Sequence, residues 1–158
     1  IVYRGDADFR DAMLAFAGRS ASREMVAQHY LHLGERQRRL HFADASAVPL
    51  KRMFYALRPA AALRWLRLHP GHAVAPMHFP TLMTECDPPA SVAAIVADLI
   101  VRKAVTRELG AAPLPAPIGQ FVDSEFEAAK SSFLSPVTDR ASWRTEAEEI
   151  FRAWVKAR

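Results

Sequence analysis

Cysteine is almost absent from this chain: Cys86 is the only one in 158 residues. A lone thiol excludes an internal disulfide and any zinc site built on cysteines. It suits a reducing compartment, so a cytoplasmic location is expected. Cys86 stands between Glu85 and Asp87, an acidic setting that raises a thiol pKa and makes a bystander rather than a nucleophile. No stretch approaches the ~20 uninterrupted apolar residues of a membrane span, and no membrane partner is expected. No basic segment leads into an apolar run near Ile1, so no secretory signal is legible.

Glycine is scarce as well. Gly5, Gly18, Gly34, Gly71, Gly110 and Gly119 are too scattered to form a phosphate-cradling loop or a dinucleotide fingerprint. There is no His-Glu-x-x-His and no Gly-x-Ser-x-Gly. Lysine is confined to Lys51, Lys103, Lys130 and Lys156, so arginine carries most of the formal charge of +4 and the pI near 9.6. An Arg- and Ala-rich chain follows from a GC-rich genome, or it serves an anionic partner such as nucleotide or RNA. Composition leaves both open. The chain begins Ile-Val-Tyr without an initiator methionine, as expected of a processed protein, a fragment or a segment starting within a longer gene.

What is present is helical periodicity. Residues 1–5 read as an extended lead-in, and Asp6 opens a helix that Gly18 ends. Ser20 or Ser22 caps a second helix running to about Phe42, with Glu24 in its first turn and Val26, His29, Leu33 and Leu40 at helical spacing. Residues 48–68 form a long stripe through Leu50, Phe54, Leu57, Ala61, Trp65 and Leu68, with Pro49 in the first turn. Pro59 lies inside it and predicts a kink, or two short helices end to end. A short helix is expected over residues 78–85. Asp87-Pro88-Pro89 then starts another, facing inward through Val92, Ile95, Val96, Leu99 and Ile100 and stopped by Gly110. Ile118 to Phe133 marks the next helix, broken at Ser135-Pro136, and Trp143 to Trp154 the last. No segment alternates as a strand does, beyond residues 1–4. The expectation is all-α: one helical domain over residues 1–158, a bundle of six to seven helices kinked at Pro59.

Candidate chemistry is sparse. Asp6 and Asp8 form a D-x-D, but at a helix start the two splay apart and serve the helix N-terminus rather than Mg²⁺. Glu146, Glu148 and Glu149 read as a solvated helix face. The histidines are not spaced as a metal site, and no metal ligand is assigned. Arg64/His69, Arg36/His41 and Arg23/His29 match the Arg-then-His spacing of helical ribonucleases of the HEPN class; three matches in an Arg-rich chain point to coincidence. The conspicuous feature is a cationic row. Lys51, Tyr55 and Arg58 sit at i, i+4 and i+7 on one helix face, flanked by Arg52. Such a row can hold phosphates while the tyrosine stacks or donates, or it can be merely solvated.

The segment LKRMFYALRPAAALRWLRL from Leu50 to Leu68, followed by Pro76-Met77-His78-Phe79, resembles bacterial predicted nucleotidyltransferases of the DNA polymerase β superfamily, the RNA-repair-pathway type. Their C-terminal half carries a lysine, an aromatic pair, Leu-Arg-Pro, Arg-Trp and then Pro-Pro-Met-x-Phe. Ile1-Val2-Tyr3, His29-Tyr30-Leu31, Arg102-Lys103 and the helix from Phe121 to Phe126 fall in matching order, so the likeness spans nearly the whole chain. Departures are Met53 within the aromatic segment, Ala75 in place of a proline, and Glu35 where a basic residue is common.

The family's catalytic motifs, a Gly-Ser and then an aspartate pair on a strand that hold Mg²⁺, have no match here. The resemblance therefore implies that no catalytic residue lies in this chain. It implies a helical domain that closes over nucleotide or RNA while a missing N-terminal catalytic domain, using Mg²⁺ and NTP, performs nucleotidyl transfer. Lys51, Arg52, Tyr55 and Arg58 are the expected binding residues. The alternatives are a stand-alone helical RNA- or protein-binding module and a ribonuclease of the Arg/His type.

Overall fold

Asp6 opens the first helix as expected. Its Oδ1 accepts from the backbone amides of Asp8 at 3.0 Å and Phe9 at 3.2 Å, satisfying two donors that a helix start leaves without partners. In this computed structural model, residues 6–105, 110–133 and 140–156 are described. Helix α1 spans Ala7–Ser20, so it runs past Gly18 rather than ending there. The chain continues through α2 (Arg23–His41), β1 (Val48–Pro49), α3 (Leu50–Leu68), α4 (Phe79–Glu85), α5 (Ala90–Val105), β2 (Ala111–Ala112), α6 (Ala116–Ser132) and α7 (Arg140–Lys156). The all-α expectation holds. One strand pair was not foreseen: Val48 pairs with Ala112 and Pro49 with Ala111, antiparallel. The lead-in expected over residues 1–5 and the break at Ser135-Pro136 lie outside the described residues.

The sequence reads as one helical domain; the structure groups it as two compact units, Ile1–Ser22 with Pro136–Arg158, and Arg23–Ser135. In the first, α1 and α7 are held by edge-on aromatic pairs, Phe9 with Trp154 and Phe16 with Trp143, and by an ion pair between Arg19 and Glu146. Glu148 pairs along α7 with Arg144 and Arg152. Phe151 on α7 is exposed.

In the second unit α3 is the central element, packed by α2 on one side and α6 on another. Met53, Ala56, Leu57, Ala60, Ala61, Leu63 and Leu66 are sealed from solvent. Each large aliphatic among them contributes about 1.5–3 kcal/mol by leaving water. The helix is assigned without interruption through Pro59. The proline ring removes the N–H that would otherwise close onto the Tyr55 carbonyl. Phe54 is only half-buried and Leu68 is exposed, so the predicted stripe is buried along its middle rather than throughout.

The inward face of α2 is also not the one that Leu33 and Leu40 mark. Ala27 and Gly34 are its buried residues, while His29, Leu33 and Leu40 are exposed. A Cβ on Gly34 would stand 2.4 Å from Phe126 and 2.9 Å from the Pro59 Cβ. Glycine is required there because α2 passes so close to α3 and α6.

Across α3, one carboxylate organises three elements. Glu125 on α6 is buried, and it accepts from Arg64 Nη1 at 3.1 Å and from Arg67 Nη2, both on α3. Arg64 also donates through Nε to the Cys86 carbonyl at 2.7 Å and through Nη2 to the Asp87 carbonyl at 2.7 Å. Asp87 is not a helix cap. It adopts a φ of 45°, a left-handed conformation that aspartate tolerates better than most residues. Helix α5 instead starts at Ala90, where the Pro89 carbonyl accepts from Val92 and Ala93.

Two outcomes follow. Gly34→Ala should cost about 1–3 kcal/mol in urea unfolding through overpacking, whereas Gly18→Ala, with nothing within 4 Å, should be neutral or stabilising by up to ~1 kcal/mol; equal effects at both sites would refute the close approach. Glu125→Gln strands two arginines whose side chains are only about a quarter exposed. A loss of about 3 kcal/mol is expected, the low end of the range for a broken buried pair; an unchanged unfolding midpoint would refute it.

Candidate functional site

Helices α2, α3, α4 and α5 leave between them a cleft of about 620 Å³, within the range of small-molecule sites. Tyr30, Leu33 and Gln37 line it from α2, at i, i+3 and i+7 on one face. Phe54, Tyr55, Arg58 and Pro59 line it from α3, Phe79 and Pro80 from α4, and Ile100 and Lys103 from α5. Its floor is aromatic: Phe54 and Phe79 meet edge-on with centroids 5.5 Å apart. Above each ring stands a cation. Lys103 Nζ lies 5.1 Å from the Phe54 centroid, and the Arg58 guanidinium 5.5 Å from that of Phe79. Arg58 is anchored further by donating to the Met77 carbonyl at 2.7 Å. Among the described residues, no carboxylate lines it.

The structure thus divides the predicted row. Tyr55, half-exposed, and Arg58 line the cleft, whereas Lys51 is exposed and outside its lining. Arg52 turns toward the end of α2, where its Nη1 lies 3.4 Å from His41 Nδ1, and the His41 ring is 6.0 Å from that of Tyr55. Partial burial first, and the Arg52 charge second, lower the His41 pKa below the usual histidine value. The periodicity of α3 did not reveal Lys103, Phe79, Tyr30 or Gln37 as neighbours of Arg58. Their signal lay in the i, i+3 and i+7 spacing on α2 and the i, i+3 pair Ile100 and Lys103 on α5.

The other candidates take structural parts. Arg64 is committed to Glu125 and two backbone carbonyls, and His69 stacks on Trp65 with centroids 4.3 Å apart. Arg23 donates to the Leu66 carbonyl at 2.6 Å and lies over Phe133. Cys86 is fully buried, and that burial, more than its acidic neighbours, pushes the thiol up to about 11. Among the described residues no group of three or more His, Cys, Asp or Glu side chains is arranged to hold a metal. The described residues do not fit a Mg²⁺ site. None of the described helices is long and apolar enough to cross a membrane.

The His41 environment is directly testable. Because its folded-state pKa is lowered, neutral His41 favours the fold, and that contribution is lost as the pH falls below the ordinary histidine value. Arg52→Gln removes one of the two causes. The imidazole titration followed by NMR should move upward; a midpoint that stays or falls would refute the coupling.

The family model for the RNA repair pathway DNA polymerase beta family, RlaP, matches residues 1–153. The uncharacterized protein YcgL of Bacillus subtilis (strain 168) is 30 % identical over 104 residues, 66 % of this chain and 39 % of that protein. The chain therefore spans well under half the length of this curated relative. No solved structure matches. With a family model covering all but the last few residues, the chain belongs to the RNA repair pathway DNA polymerase beta family.

Proposed function

We propose that this chain is the accessory helical domain of a nucleotidyltransferase, and that its cleft binds the nucleotide or nucleic acid on which a separate catalytic part acts. The observation that carries this reading is the pair of cations, Arg58 over Phe79 and Lys103 over Phe54, in a cleft that no carboxylate lines among the described residues. Aromatic edges and faces accept a base, and the two cations meet phosphate oxygens by charge-assisted hydrogen bonds. Tyr55 adds a half-exposed ring and hydroxyl at the rim. Lys51 and Arg52 extend the positive charge along α3 beyond the cleft.

Phosphoryl transfer asks such a partner for positioning and charge neutralisation rather than for covalent chemistry. Mg²⁺ and the Asp pair that holds it belong, in this reading, to the catalytic part. The longer relative leaves room for one, since the chain corresponds to 39 % of its length.

Calorimetric titration with ATP tests the cleft. Arg58→Ala and Lys103→Ala should each weaken binding about tenfold or more, the effect of losing a charge-assisted bond of about 1.5–3 kcal/mol, with helicity unchanged. Wild-type affinity in both variants would overturn the assignment. Incubated with labelled ATP and Mg²⁺, the chain alone should transfer no nucleotide; transfer would overturn the accessory role.

A further inference from the structure

Helix α2 carries a second positive feature that the cleft does not use. His29, His32, Arg36 and Arg39 are all exposed. At 3.6 residues per turn they fall within about 80° of one another on a single face. Neither arginine forms an ion pair among the described residues, and no acid shares the arc. Glu35, at its edge, is engaged by Lys130 at 3.0 Å.

Next to this stripe, turning toward the cleft, come Leu40, 60 % exposed, and Leu33, 37 % exposed. Leu33 itself lines the cleft, and Gln37 and Tyr30 follow it around the helix. The order across the surface is therefore cationic stripe, apolar edge, aromatic cleft.

We infer that the outer face of α2 is a track for a single nucleic-acid strand whose terminal nucleotide occupies the cleft. A single strand presents phosphates along one side and unpaired bases along the other. Arg36 and Arg39 meet the first, while the exposed leucines meet the second. A duplex hides its bases and has no use for the apolar edge. From His29 to His32, Arg36 and Arg39 the helix rises about 15 Å, and a stacked strand advances about 3.4 Å per residue, so the track holds about four nucleotides. This inference rests on the nucleotide-binding reading of the cleft. It adds that the ligand is a polymer end and not a free nucleotide.

The test is fluorescence anisotropy with a labelled single-stranded RNA of about twelve nucleotides, long enough to fill the track and the cleft, across a range of salt concentrations. Arg36→Gln/Arg39→Gln changes two exposed side chains and should leave the fold intact. It should weaken oligonucleotide binding about tenfold, and lower the slope of log affinity against log salt by about 1.4, two contacts at ~0.7 each. ATP affinity should stay at the wild-type value.

Unchanged oligonucleotide affinity and slope would overturn the track while leaving the cleft reading intact. An equal fall in ATP affinity would also overturn it. So would a preference for duplex, or competition by poly-glutamate as effective as by unlabelled RNA, which would assign the stripe to an acidic protein. Loss of the cleft reading has a different signature: Arg58→Ala/Lys103→Ala would then leave both ATP and oligonucleotide binding untouched.

Discussion

The Arg23–Ser135 unit depends on the buried carboxylate of Glu125. Two arginines one helical turn apart on α3 point at it, and neither could stay where it is without it. Arg64, once neutralised, reaches on to the Cys86 and Asp87 carbonyls and so pins the turn between α4 and α5. The chain that enters that turn carries Phe79, and the chain that leaves it carries Lys103. A contact on the α6 side of α3 therefore fixes the relation between two groups on its cleft side. The left-handed Asp87 is part of the same device, since that conformation lets both carbonyls face one guanidinium.

The opposite wall is set by close approach. Where α2 meets α3 there is no room for a Cβ on Gly34, and Pro59 and Phe126 fill the space. Small residues inside bring the helices together, while Leu33 and Leu40 are turned outward. Pro59 contributes twice: its ring packs against Gly34, and on its other flank it forms part of the cleft wall, one turn from a Tyr55 carbonyl deprived of its helical donor.

This is why the sequence was legible in some places and not in others. Helix positions followed from caps, prolines and apolar period, and Asp6 performs the capping that its place before α1 predicts. The middle of α3 was equally plain, because Leu57, Ala61 and Trp65 are large or repeated enough to mark a buried face. The inner face of α2 was misread for a physical reason. Its buried residues are an alanine and a glycine, and a search for large apolar side chains finds the exposed Leu33 and Leu40 instead. The β1–β2 pairing is two residues per strand, too short to alternate. Nor does any local pattern foretell that Arg64 will find Glu125 sixty-one positions later. Tyr55 and Arg58 could be read as neighbours of one another, but Phe79 and Lys103, which line the same cleft, arrive from other helices.

The distribution of acids separates cations held by carboxylates from cations seated on aromatic rings. On the α2–α6 side, Arg38 holds both oxygens of Asp123, and Lys130 sits between Glu35 and Glu127. These charges are already neutralised, and being part-exposed they contribute little to stability each. On the α3–α5 side, the cations rest on aromatic rings instead. A ring holds a guanidinium or an ammonium in place by about 0.5–1 kcal/mol at an exposed site, but it leaves the charge itself uncompensated. In the proposed reading, an anion entering the cleft meets two cations that no carboxylate among the described residues holds. Two cations seated on one edge-on aromatic pair are the geometry on which the proposed anionic, planar ligand rests.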